Sequence, residues 1–223
     1  FFTLCAAAFA NAQSCGCEKD SLITGLISCD TTIFENNARI FWNYDCDSSW
    51  LSFQNAVGKR KTLFGMSGAF LHLTGRLGFN YATEYKNHFL MQYNVISGCC
   101  TPPDFYLFDK NTGRQTKVLG RLIYYSTDKK LPFAVSIELY DPKTGNSPKL
   151  SRLKVYNVDQ NKSRYVELPK NELEKAMEET DEMYAEYLFT EPRLDNNILT
   201  LSYYIKKPVN KPEEALRTIK IKL

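Results

Sequence analysis

Histidine is scarce in this chain. His72 and His88 are the only two among 223 residues, so a histidine ligand or general base must be one of them. A strong charge of either sign is also missing. Twenty-eight Lys and Arg stand against 25 Asp and Glu, a formal +3, which implies no broad field for nucleic acid or an anionic membrane. Beyond the first dozen residues no apolar run approaches the ~20 residues of a membrane helix. No phosphate loop, dinucleotide fingerprint or zinc-protease motif is present. Alanine thins out after the N-terminus, whereas Tyr and Phe reach 14 each, a balance that favours strands over helices.

The first residues are the exception to this polarity. Phe1–Ala10 is uncharged and apolar, and Ala10-Asn11-Ala12 has the small-x-small pattern of a signal-peptidase site. Residues 1–12 therefore read as the remnant of a signal peptide, with Gln13 as the mature N-terminus. Cys5 leaves with it. Cys15, Cys17, Cys29, Cys46, Cys99 and Cys100 remain, an even number that in an exported chain reads as disulfides. The pairing we favour joins Cys15 or Cys17 to Cys29, and Cys46 to Cys99 or Cys100. A zinc site wants about two to four residues between paired cysteines, which neither Cys15-Gly16-Cys17 nor Cys99-Cys100 has. A lipoprotein site at Cys15 is poorly served by Ala12-Gln13-Ser14, which lacks the Leu and small residues of such a site.

One stretch organises the rest. Tyr106–Arg114 recurs as Glu138–Asn146, with a worn copy at Trp50–Lys59. In each, an aromatic (Phe108, Tyr140, Phe53) stands five residues before a glycine (Gly113, Gly145, Gly58). Asp109 and Asp141 can accept hydrogen bonds from amides two or three residues on, and the glycines can take a positive φ. The pattern predicts strand, turn, strand. A calcium loop is the alternative for Asp109-x-Asn111-x-Gly113, but its glycine comes one place early. Gly120 also stands where the closing glutamate belongs.

Strands are expected at Arg39–Tyr44, Trp50–Phe53, Thr62–Phe64, Gly68–Thr74, Arg76–Tyr81, Phe89–Asn94, Phe105–Phe108, Val118–Tyr125, Phe133–Tyr140, Leu153–Val158, Arg164–Leu168, Ile198–Ile205 and Arg217–Leu223. Residues 36–65 and 86–120 share an order of residue types that suggests an internal duplication. The period changes at Asn171, an N-cap with Glu174 three residues on. Leu173, Ala176, Met177, Thr180, Tyr184, Tyr187 and Leu188 then follow helical spacing. One late amphipathic helix is expected, over about 171–189, with an acidic outer face.

The turns resemble those of β-propeller proteins. Strands ending in aromatic-Asp-x-x-Thr-Gly, as Tyr140–Gly145 and Phe108–Gly113 do, look like the outer strands of propeller blades. The resemblance concerns fold alone and carries over no functional residue. The expected fold is mainly β: an antiparallel sandwich, or a small propeller-like or barrel arrangement of hairpins, in a single domain over 13–223.

Chemistry is sparsely marked. Gly65-Met66-Ser67-Gly68 touches the nucleophile-elbow pattern without its final glycine. Asp45 and Asp47 flank Cys46 as turn residues. Asn161-Lys162-Ser163 fits a glycosylation acceptor. The expectation is a secreted or periplasmic protein with a non-catalytic binding or structural role. Its partner would be a protein or glycan, with no cofactor, metal, nucleic acid or membrane span. One alternative is a hydrolase using His72 and nearby carboxylates, which gains if three of His72, Glu84, His88, Asp45 and Asp104 converge in one pocket. Another is an inhibitor or immunity-type protein that binds a basic partner through the acidic helix.

Overall fold

The computed structural model describes residues 30–45, 48–67, 78–94, 101–138, 152–207 and 215–223. The expected leader, all seven cysteines, His72, Asp47, the expected strand at Gly68–Thr74 and the second turn copy at Asp141–Gly145 lie outside the described residues. The chain divides into two compact units, Phe1–Arg76 and Leu77–Leu223.

The first unit contains one four-stranded antiparallel sheet, S1, made of β1 (Thr31–Ile33), β2 (Arg39–Tyr44), β3 (Ser48–Gln54) and β4 (Arg60–Ser67) in that order. Register pairs Ile40 with Phe53 and Trp42 with Leu51, so these four apolar side chains share one face. All four are buried.

The second unit repeats the plan. Sheet S2 runs β5 (Phe79–Glu84), β6 (His88–Tyr93), β7 (Asp104–Asp109) and β8 (Gln115–Arg121). Sheet S3 runs β9 (Tyr124–Tyr125), β10 (Phe133–Ile137), β11 (Arg152–Asn157) and β12 (Lys162–Glu167). Sheet S4 has three strands, β13 (Arg193–Asp195), β14 (Ile198–Tyr204) and β15 (Leu216–Lys222). All four sheets are antiparallel and each follows chain order, so every connection within a sheet is a hairpin. The expected fold class is therefore present: mainly β, built of hairpins, with one α-helix and no closed barrel among the described residues.

Sheet S3 is covered on both faces. Leu90, Phe105 and Leu107 of S2 pack with Tyr156 and Val158. Val135, Ile137, Leu153 and Val155 pack with Leu199, Leu201 and Ile221 of S4. The alternation along β11, with Leu153 and Val155 to one side and Tyr156 to the other, is the period-two pattern of a strand serving two cores. S2, S3 and S4 thus stack as successive layers.

The repeated turn forms as its residues require. Asp109 Oδ1 accepts from the amides of Asn111 (3.0 Å) and Thr112 (2.7 Å) and from the Thr112 hydroxyl (2.8 Å). Gly113 has φ +63°. In the worn copy Asn55 takes the aspartate's place, accepting from the Lys59 amide at 2.8 Å, and Gly58 has φ +88°. Both turns join the third and fourth strands of a four-stranded meander. Segments 36–65 and 86–120 accordingly occupy matching places, strands two to four of S1 and S2.

Three local expectations change. Val118–Tyr125 is two strands, since the chain leaves S2 after Arg121 and enters S3 at Tyr124. The strands β1 and β13, three residues each, were too short to show a period. The helix α1 covers Glu172–Thr180 and stops at Asp181, which takes a left-handed φ of +61°. The rest of the expected helix becomes one 3₁₀ turn, Ala185–Leu188. Asn171 has φ +57° and makes no side-chain cap bond, because an N-cap bond needs an extended backbone at that residue. Leu173 and Ala176 are buried in the S3–S4 core as the helical stripe predicts. Among the described residues, no helix is long and apolar enough to cross a membrane.

Candidate functional site

The hydrolase alternative gains if three of its five groups meet, and His72 is not among the described residues. In the second unit, where three of the five are described, they do not. Glu84 pairs with Phe89 across β5 and β6, whereas His88 pairs with Asp109 across β6 and β7. Successive residues leave opposite faces of a sheet, so Glu84 and His88 point apart. Asp104 pairs with Tyr93, five positions down the strand from the His88–Asp109 pair, a separation of about 17 Å. Asp45, in the first unit, caps its own turn: Oδ1 accepts from the Ser48 amide at 2.7 Å. Gly65, Met66 and Ser67 continue β4, where a nucleophile elbow needs a sharp turn into a helix.

What the structure gathers instead is a buried ion pair. Lys110 follows the turn aspartate and folds back under the β5–β6 hairpin. Its Nζ donates to Glu84 Oε1 at 2.6 Å and to the Tyr85 carbonyl at 2.9 Å, and its side chain is 3% exposed. Its amide donates to the Asn87 carbonyl at 2.9 Å. Lys129 Nζ lies 3.5 Å from the other Glu84 oxygen. A turn lysine ordinarily faces water, so nothing in the sequence marks Lys110 as interior.

Beside this pair, Tyr85 and His88 close the hairpin, the Tyr85 amide donating to the His88 carbonyl at 2.7 Å. The Tyr85 hydroxyl and His88 Nδ1 are buried and have no hydrogen-bond partner among the described residues. Burial pushes the His88 imidazole below its ordinary value, assisted by Lys110 and opposed by Asp109 and Asp159. Burial also raises the Tyr85 hydroxyl, chiefly by desolvation, with Tyr124, Tyr125, Asp159 and Tyr81 adding to it. Both side chains are neutral at pH 7.

A cleft of about 680 Å³ opens at the S3 end nearby. Its cations are Lys129 and Lys130 from the loop before β10, and Lys162 and Arg164 from β12. Asp159 is the one acidic side chain in its lining, Asn157, Gln160 and Ser163 are neutral polar, and Leu131, Pro132, Phe133, Val155 and Leu223 give an apolar wall. Register explains the convergence. Phe133 pairs with Asn157 and Asn157 with Lys162, while Val155 pairs with Arg164, so these side chains lie in two adjacent rows on one face. Arg164 also donates to the Lys222 carbonyl of β15. Neither Lys130 nor Lys162 is ion-paired among the described residues. The strand expected at Arg164–Leu168 placed Arg164 correctly but gave no hint that the β9–β10 loop joins it.

The acidic helix is partly engaged already. Glu172 pairs with Arg217 of β15 at 3.0 Å and accepts from the Tyr203 hydroxyl. Burial, with that bond, raises the Tyr203 hydroxyl. Glu174, Glu178, Asp181 and Glu182 surround a shallow depression of about 360 Å³ with Met177 and Met183. Asn161, the glycosylation candidate, sits in the β11–β12 turn at φ +50°. Its Oδ1 accepts from the Tyr156 hydroxyl at 2.9 Å and from Lys117 Nζ at 3.2 Å. Among the described residues, no group of three His, Cys, Asp or Glu is placed to hold a metal ion.

No family model, curated protein or solved structure matches this chain.

Proposed function

We propose that the chain is a non-catalytic binding protein that works outside the cytoplasm and takes its ligand in the S3 cleft. The observation that carries this is the composition of the cleft: four cationic side chains against one acidic side chain, beside an apolar wall. Two of those cations, Lys130 and Lys162, have no acidic partner among the described residues. Groups of this kind hold and orient a ligand without chemistry of their own. The opposed directions of Glu84 and His88 support binding over hydrolysis.

The direct test is an array of immobilised glycans and peptides probed with the wild-type chain and with Lys162→Ser/Arg164→Ser. At least one ligand class should bind the wild type and be lost by the variant. Equal binding by both proteins across the array would remove the cleft from consideration. The proposed compartment has its own test, an intact mass of the exported protein before and after reduction. Export predicts a chain beginning at Gln13, and three disulfides predict a gain of six hydrogens on reduction. A retained leader with free thiols would place the protein elsewhere.

A further inference from the structure

We infer that the cleft takes an extended acidic peptide, added as a strand along the outer edge of β12. This rests on the cleft being the ligand site and names what the ligand is. Among the described residues β12 pairs with β11 alone, and Lys162, Ser163, Arg164 and Tyr165 are exposed. An edge strand of this kind presents backbone donors and acceptors that an extended chain can pair with.

Charge and spacing then select the partner. Lys162 and Arg164 leave the same face of β12, about 7 Å apart along the strand. Acidic residues at alternate positions of an extended peptide have that same separation, so one strand laid beside β12 brings each carboxylate beside one cation. Lys130, from the loop on the opposite wall, adds a third positive charge. Arg164 is anchored by the Lys222 carbonyl, and a guanidinium has further donors to offer a carboxylate. A sulfated polysaccharide supplies anions but neither the two-residue repeat nor the amides of a ladder, so it is the competing occupant.

Fluorescence anisotropy with the full chain separates the two. The probe is a labelled octapeptide alternating Glu and Thr. Its controls are the Gln–Thr peptide, the Glu–Thr peptide N-methylated at alternate amides, and dextran sulfate. The Glu–Thr peptide should bind, weaken as salt rises, and lose about tenfold or more in affinity to Lys162→Glu/Arg164→Glu. Both peptide controls should fail to bind. Lys130→Glu alone should also weaken binding, and it keeps the result readable if the double variant misfolds, because the Lys130 ammonium makes no hydrogen bond or ion pair among the described residues. Equal binding of the N-methylated peptide, or cleft-dependent binding of dextran sulfate without the peptide, would overturn strand addition and leave the cleft as a ligand site. No binding sensitive to Lys130→Glu, from any probe, would overturn both.

Discussion

Lys110 and Lys162 lie in the same unit and have the same side chain, yet their surroundings differ in every respect that matters. Lys110 is buried and its ammonium is held by Glu84 and the Tyr85 carbonyl. Lys162 is exposed at the rim of a cleft that sets one acidic side chain against four cationic ones. A buried charge must be paired because removing it from water is costly. An exposed unpaired charge costs the fold little and remains available to a ligand. Lys129 stands between the two cases, within 3.5 Å of Glu84 while also lining the cleft. Partner count, and not charge, separates structural cations from candidate ligand contacts here.

The largest effect should come from breaking the buried pair. Lys110→Met removes the closest cation from the buried Glu84 carboxylate, and it should cost about 3 kcal/mol in urea denaturation. Adding Glu84→Leu should recover most of that, to within about 1 kcal/mol of wild type, since two apolar groups need no partner. A Lys110→Met cost below about 1 kcal/mol would erase the distinction from the cleft.

Next in size is the turn that delivers Lys110 inward. Asp109→Ala removes an oxygen that accepts three hydrogen bonds and should cost about 1–2 kcal/mol by thermal denaturation. An unchanged midpoint would mean that Gly113 alone sets the turn.

A smaller, pH-dependent effect follows from His88. Its folded pKa lies below the ordinary 6.5, so between the two values the unfolded chain binds more protons than the native one. Stability contributed by the neutral imidazole is present above about pH 6.5 and is lost as pH falls below it. Denaturant midpoints should drop from pH 7.5 to pH 5, and the part of that drop due to this residue should vanish in His88→Gln. An identical drop in the variant would assign it wholly to other groups.

The smallest effect on stability is expected in the cleft. Lys130→Glu should change unfolding free energy by less than about 0.5 kcal/mol while altering ligand binding. A large loss of stability there would show that the cleft cations are structural after all.

Much of the scaffold was legible because its signals are local. Aromatic and β-branched runs predicted β2 and β3 of S1 and β6 and β7 of S2, whereas β1 was missed and β5 starts three residues beyond the expected Arg76. The Asp109–Gly113 turn followed from side-chain reach and a permissive glycine. The helical stripe of Leu173 and Ala176 named the buried face of α1 correctly. What failed was equally local in cause: Asn171 and Asp181 both adopt left-handed backbone, so the cap is absent and the helix ends early. The pairing of Glu84 with Lys110 was not legible, since 26 residues separate them and the turn motif that contains Lys110 says nothing of where its side chain goes. The same holds for the cleft, whose cations come from a loop and a strand more than thirty positions apart.

By itself the amino-acid sequence determined the fold class, the hairpin connectivity and the chemistry of the turns, because backbone preference and period-two alternation act between near neighbours. The stacking of S2, S3 and S4, the inward course of Lys110 and the meeting of the β9–β10 loop with β12 were decided only by tertiary structure. They depend on which sheet faces cover each other, and that is set by burial summed over the whole unit and not by any short stretch within it.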